Sequence, residues 1–199
     1  MSSAKVLLEL RDGILAATLN RPDKLNAIDN GMARELLHVV AMAAGNPEVH
    51  VLLLRGAGRA FCAGRDVGAP PTEQDLELVQ AVAAALVALP KPVVAAVHGW
   101  TLGAGLEWVL DTDLVLAGES SRFKLPEASL GVFVTGGLTA TLAAYAGLSR
   151  AKALMLLGEE FGAFQAQAWG LVWQVAADAD LDASSMQVCQ RLATPLQTS

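Results

Sequence analysis

The run Pro92-Val93-Val94-Ala95-Ala96-Val97 constrains this chain most. It is apolar, partly β-branched and entered through a proline, so it reads as a buried strand. His98-Gly99-Trp100-Thr101-Leu102-Gly103-Ala104-Gly105 follows, and Leu106-Glu107-Trp108-Val109-Leu110 then continues without a breaker. The expectation is a strand, a glycine-rich turn and the start of a buried helix. The first turn of a helix leaves backbone N–H groups unpaired and carries partial positive charge. Glycines let a ligand approach those groups, which suits an anion or a developing oxyanion.

One helical turn into the apolar run sits Glu107. A carboxylate there is costly unless paired, hydrated or protonated. Glu127 follows Pro126 in Phe123-Lys124-Leu125-Pro126-Glu127-Ala128-Ser129-Leu130-Gly131. The intervening residues suffice for a helix, a strand over Asp113–Ala117 and a return of the chain. Two glutamates reaching one cleft can divide acid and base work.

The remaining elements follow from the same rules. Val6–Leu10 and Ile14–Leu19 flank Asp12-Gly13, a hairpin signal. Gly31–Ala44 is predicted as an amphipathic helix with Met32, Leu36, Val39, Val40 and Ala43 on one face. Val49–Leu54 reads as a central strand, Val67–Pro71 as a mobile loop and Glu73–Leu89 as a helix. Ser149–Leu157 and Ala163–Trp169 read as short helices, Gly170–Val175 as a strand and Leu181–Ala193 as a last helix.

Composition narrows the function. Hydrophobic residues make up 53% of the 199 residues and charged ones 17%, which points to a folded domain with extra buried surface, such as a subunit interface. A net charge of −6 argues against a general nucleic-acid role. No apolar leader is visible at Met1–Lys5. The uncharged run Ala128–Ser149 is broken by glycines and threonines, so a buried core is expected rather than a membrane span. Cys62 and Cys189 stand apart with no metal or redox spacing, consistent with a reducing cytoplasm and no metal. Cys62 reads as a small buried residue, since no base is placed beside it.

Four blocks in order carry a resemblance. They are Asn20-Arg21-Pro22-Asp23-Lys24-Leu25-Asn26-Ala27-Ile28, Ala60-Phe61-Cys62-Ala63-Gly64-Arg65-Asp66-Val67, Val97 to Glu107 with Asp113, and Phe123 to Gly131. Together they resemble the crotonase (enoyl-CoA hydratase/isomerase) superfamily from about Lys5 to Ala176. The resemblance implies an α/β fold, a spiral of ββα units with a shortened C-terminal helical part. The core would span 1–178, and 179–199 would be a truncated helical segment, because crotonase chains run on into several C-terminal helices. It implies an oxyanion hole from the N–H groups of Arg65 and Ala104, with Glu107 and Glu127 catalytic. Substrate or CoA contacts are implied for Lys24, Asn26, Ala27, Ala63, Gly64, Asp66, Val67, Trp100, Leu102, Gly103, Pro126, Leu130 and Gly131. The sequence departs from the family pattern at Val134, where a proline is usual, and at Ala140-Thr141, where Gln-Arg is usual. The expected chemistry is enolate stabilisation on an acyl-CoA thioester, first of all hydration of a 2-enoyl-CoA. Isomerisation, hydrolysis, decarboxylation and a non-catalytic binding role are the alternatives. No cofactor is expected beyond the coenzyme A of the substrate, and a homotrimer or hexamer is the expected assembly.

Overall fold

The computed structural model describes residues 4–68 and 72–194. Of the loop expected at 67–71, residues 69–71 lie outside the described residues, as do residues 195–199 of the last segment.

Strands β1 (Val6–Arg11) and β2 (Ile14–Leu19) form the expected hairpin. Asp12 and Gly13 both take positive φ, 51° and 78°, the backbone that a two-residue hairpin turn requires. Helix α1 (Asn30–Gly45) starts at Asp29, whose side chain accepts from the Met32 N–H. Its buried face contains Met32, Leu36, Val39, Val40 and Ala43, as its periodicity demands. Next come β3 (Val51–Gly56) and α2 (Glu73–Ala88), the latter opened by a Thr72–Asp75 capping box. Then β4 (Val93–Val97), buried at every residue, runs into β5 (Trp100–Leu102) and α3 (Ala104–Leu110).

The chain continues through β6 (Leu114–Gly118), β7 (Arg122–Lys124) and a 3-10 turn at Glu127–Leu130. It goes on to α4 (Leu138–Ala146), α5 (Leu148–Leu157), β8 (Phe161–Gly162), α6 (Ala163–Ala168), β9 (Gln174–Ala176) and α7 (Leu181–Ala193). Among the described residues no helix is long and apolar enough to cross a membrane.

The larger sheet has the order β1-β2-β3-β4-β6-β9, parallel apart from the first pair. The smaller sheet is β5-β7-β8. Isolated bridges Ile28↔Arg65 and Cys62↔Thr101 extend the strand-like contacts of the smaller layer. Each turn of the chain therefore crosses the large sheet, touches the small layer and returns through a helix: β2–Ile28–α1, β3–Cys62–α2, β4–β5–α3. This is the expected spiral. One main core fills the space under the helices, while Leu181, Val188 and Cys189 of α7 close the other face of the large sheet.

Three short strands were not expected. Residues 100–102, read as part of a glycine-rich turn, form β5, and β7 and β8 complete its sheet. The strand expected over 170–175 begins only at Gln174, because Leu171 and Val172 N–H groups still bond to Ala166 and close α6. The strand expected from Val49 begins at Val51, since the Val49 N–H turns back onto Asn46.

Candidate active site

The spiral sets two backbone loops side by side. Cys62 N–H donates to Trp100 O at 3.1 Å and Leu102 N–H donates to Cys62 O at 2.9 Å. Gly64 has φ +82°, and a Cβ there would lie 2.8 Å from Leu102 O and 3.6 Å from Ala104 N, so only glycine lets the loops close. On the far side, Ile28 N–H donates to Gly64 O and Asp66 N–H to Ile28 O, each at 2.8 Å. Arg65 is thus held between two anchored neighbours, opposite Ala104. Ala104 is the first residue of α3, where an N–H has no intrahelical acceptor. The Arg65 guanidinium reaches Asp75 at 3.5 Å.

Both loops open on a cavity of about 440 Å³. Val67, Leu76, Val79, Leu130, Val132 and Phe133 supply its apolar wall; Glu107, Glu127, Arg65 and Thr135 are its polar groups. Glu107, on α3, is only 2% exposed. Its Oε1 accepts from the Thr135 N–H and its Oε2 from the Thr135 hydroxyl, both at 2.6 Å. Burial raises its pKa, and the two bonds from Thr135 oppose that rise.

Glu127 opens the 3-10 turn and is 8% exposed. Its Oε1 lies against Gly103, where a Cβ would come within 2.5 Å. Its Oε2 is buried without a hydrogen-bond partner among the described residues. Burial, reinforced by the charge of Glu107, pushes this carboxyl up to about 7. A third carboxyl, Asp111, sits one helical turn beyond Glu107, with Oδ2 also buried and unpartnered among the described residues. Burial, and then Glu107, pushes it up to about 7 as well. Carboxyls that hold their protons towards neutrality are suited to acid–base roles.

Of the sequence candidates, Ala63, Gly64, Arg65, Val67, Gly103, Ala104, Glu107, Pro126, Glu127 and Leu130 line this cavity. Lys24, Asn26, Ala27, Asp66, Trp100, Leu102 and Gly131 do not. Asn26 is fully buried, and its amide donates to Ala57, Ala60 and Phe61 carbonyls. Ala27 O accepts from Arg21 Nη1, and Asp66 pairs with Arg21 at 3.0 Å, so these two residues belong to a scaffold around Arg21. Lys24 is exposed on a 3-10 turn over Pro22–Lys24. Sequence reasoning missed Thr135 and Asp111 as site residues. His98 bonds to Gly58 O, and Cys62 is fully buried, as expected.

The sequence model of the enoyl-CoA hydratase/isomerase family matches residues 9–199. The chain belongs to that family. An Escherichia coli protein named 1,2-epoxyphenylacetyl-CoA isomerase is 36% identical over 199 aligned positions, covering 95% of this chain and 76% of that one. A second E. coli relative, named 2,3-dehydroadipyl-CoA hydratase, is 37% identical over 177 positions, 86% of this chain and 69% of that one. Among solved structures, an enoyl-CoA hydratase from Mycobacterium avium subsp. paratuberculosis superposes with a TM-score of 0.93 at 35% identity, covering 98% of this chain and 81% of that one. The enoyl-CoA hydratase/isomerase family thus includes proteins named for both reactions.

Proposed function

We propose that this chain hydrates a 2-enoyl-CoA thioester. The observation that carries the reading is two buried glutamates, in contrasting environments, facing one apolar cavity beside two facing backbone loops. The thioester oxygen would accept from the N–H groups of Arg65 and Ala104. Glu107 would take a proton from water as its oxygen bonds to the β-carbon, and the displaced electron pair would form the enolate. Such preorganised donors are worth about 3–4 kcal/mol to a transition state. Glu127, kept partly protonated up to about pH 7 by its burial, would deliver its proton to the α-carbon. The chemistry needs no cofactor beyond the coenzyme A of the substrate.

A second reading, double-bond isomerisation, is favoured by Glu127 Oε2, unpartnered among the described residues, which suits one carboxyl that removes and returns the same proton. Glu107→Gln and Glu127→Gln separate the two. For a hydratase each lowers loss of crotonyl-CoA absorbance by ~10²–10⁴-fold while acyl-CoA binding persists in calorimetry. Near-full hydration by Glu127→Gln would refute the two-carboxyl mechanism.

The assembly we infer is a homotrimer or hexamer. Leu148, Leu156, Leu157, Phe164 and Trp173 are exposed along the C-terminal half, and soluble monomers rarely present so much apolar surface. Light scattering at low micromolar concentration should give three or six chains; a monodisperse monomer refutes this. Two free, buried cysteines support a reducing, cytoplasmic setting.

A further inference from the structure

Thr135 engages both oxygens of Glu107 and is the group that holds it. A backbone N–H can only donate, so Oε1 is an acceptor in either protonation state of Glu107. The hydroxyl completes the pair at 2.6 Å, inside the ~2.5–2.7 Å range of charge-assisted O–H···O⁻ bonds. Two donors from one residue fix the rotation of the carboxyl and oppose the rise in its pKa that burial causes. The approach depends on the next residue: Gly136 has φ +58°, and a Cβ there would lie 3.0 Å from Glu107 Oε2 and 3.4 Å from the Ala83 side chain.

Among the described residues, the side-chain hydrogen bonds of Glu107 both come from Thr135. Asp111 on its own helix and Glu127 from the 3-10 turn are carboxyls with an unpartnered oxygen among the described residues. Arg65, across the cavity, lies near Asp75 of α2, whose other acidic residues, Glu73 and Glu77, are exposed. Strand β5 carries no charged residue, and α4 carries none either, its Tyr145 being half-exposed.

We propose that Thr135 is a positioning residue whose hydroxyl, acting with its N–H, fixes the rotation of the Glu107 carboxyl, favours its ionised form and aims it into the cavity. Its kinetic consequence rests on the hydratase reading; its protonation consequence does not.

The test is a pH titration of protein labelled with ¹³C at glutamate carboxyls, with Glu107 assigned from the resonance lost in Glu107→Gln. Thr135→Val removes the hydroxyl at nearly constant volume, and Thr135→Ser restores it. Losing one hydrogen bond to a charged group should move the Glu107 midpoint up by about one to two pH units in Thr135→Val, with Thr135→Ser close to wild type. The acidic limb of kcat/KM for enoyl-CoA hydration should move by the same amount, so that activity falls about 10–100-fold below the limb and recovers above it. Coincident Glu107 midpoints in all three proteins overturn the proposal, as does a loss of rate in Thr135→Val that is uniform with pH. A shifted midpoint in a chain that hydrates no enoyl-CoA supports the proposal and refutes the hydratase reading.

Discussion

Asp111→Asn should stabilise the protein, and increasingly so as pH rises. Asp111 ends α3, is 9% exposed and leaves Oδ2 unpartnered among the described residues. Burial, and then the charge of Glu107, pushes its carboxyl from 3.8 up to about 7. The folded state therefore keeps a proton that the unfolded chain has lost, and stability declines as pH climbs through that window. Three pKa units at about 1.4 kcal/mol each give an upper bound of about 4 kcal/mol, complete above pH 7. The neutral amide has no such penalty. Urea unfolding at a series of pH values from 4.5 to 8 should show a variant-minus-wild-type difference that grows by a few kcal/mol at constant m. Glu127 titrates in the same direction but is common to both proteins, so it cancels in the difference to the extent that the sites act independently. A difference that is flat across the range would refute the buried-carboxyl argument.

Gly103→Ala should lower turnover by ~10²-fold or more, because the new Cβ falls 2.5 Å from Glu127 Oε1 at φ +46°; unchanged kcat would show that Glu127 is not held there. Asn26→Ala should cost about 2–4 kcal/mol in chemical denaturation, since the buried amide serves three carbonyls and accepts the Arg21 N–H; a loss below about 0.5 kcal/mol would contradict that accounting.

The long elements were legible because their signals are local. The Asp12-Gly13 turn, the period of Met32 to Ala43 and the proline-entered run at Val93 each need only their neighbours. Glu107 and Glu127 were legible as carboxylates too costly or too well placed to ignore. The short strands were not legible: β5, β7 and β8 hold three, three and two residues and exist only through partners distant in sequence. The same distance hid Thr135, which meets Glu107 across 28 residues. Asp111 went unread because its anomaly is burial without a partner for Oδ2 among the described residues, and no spacing encodes that. Asn26 sits in a recognisable block, yet only the fold reveals that its side chain faces inward.

The ladder between Cys62 and β5 has a consequence for how the sequence can drift. The separation of the Arg65 and Ala104 amides is set by main-chain bonds through Trp100, Leu102 and Cys62, and by the close fit of Gly64 on Leu102. The side chain at position 65 does not set that separation; its guanidinium reaches Asp75 instead. Chain length is not free. Inserting or deleting one residue between Cys62 and Arg65, or between Thr101 and Ala104, would slide one amide past the other by a full residue step, some 3.3 Å. A scan of this region should find exchanges at position 65 far less damaging than any change in the residue count of its flanks.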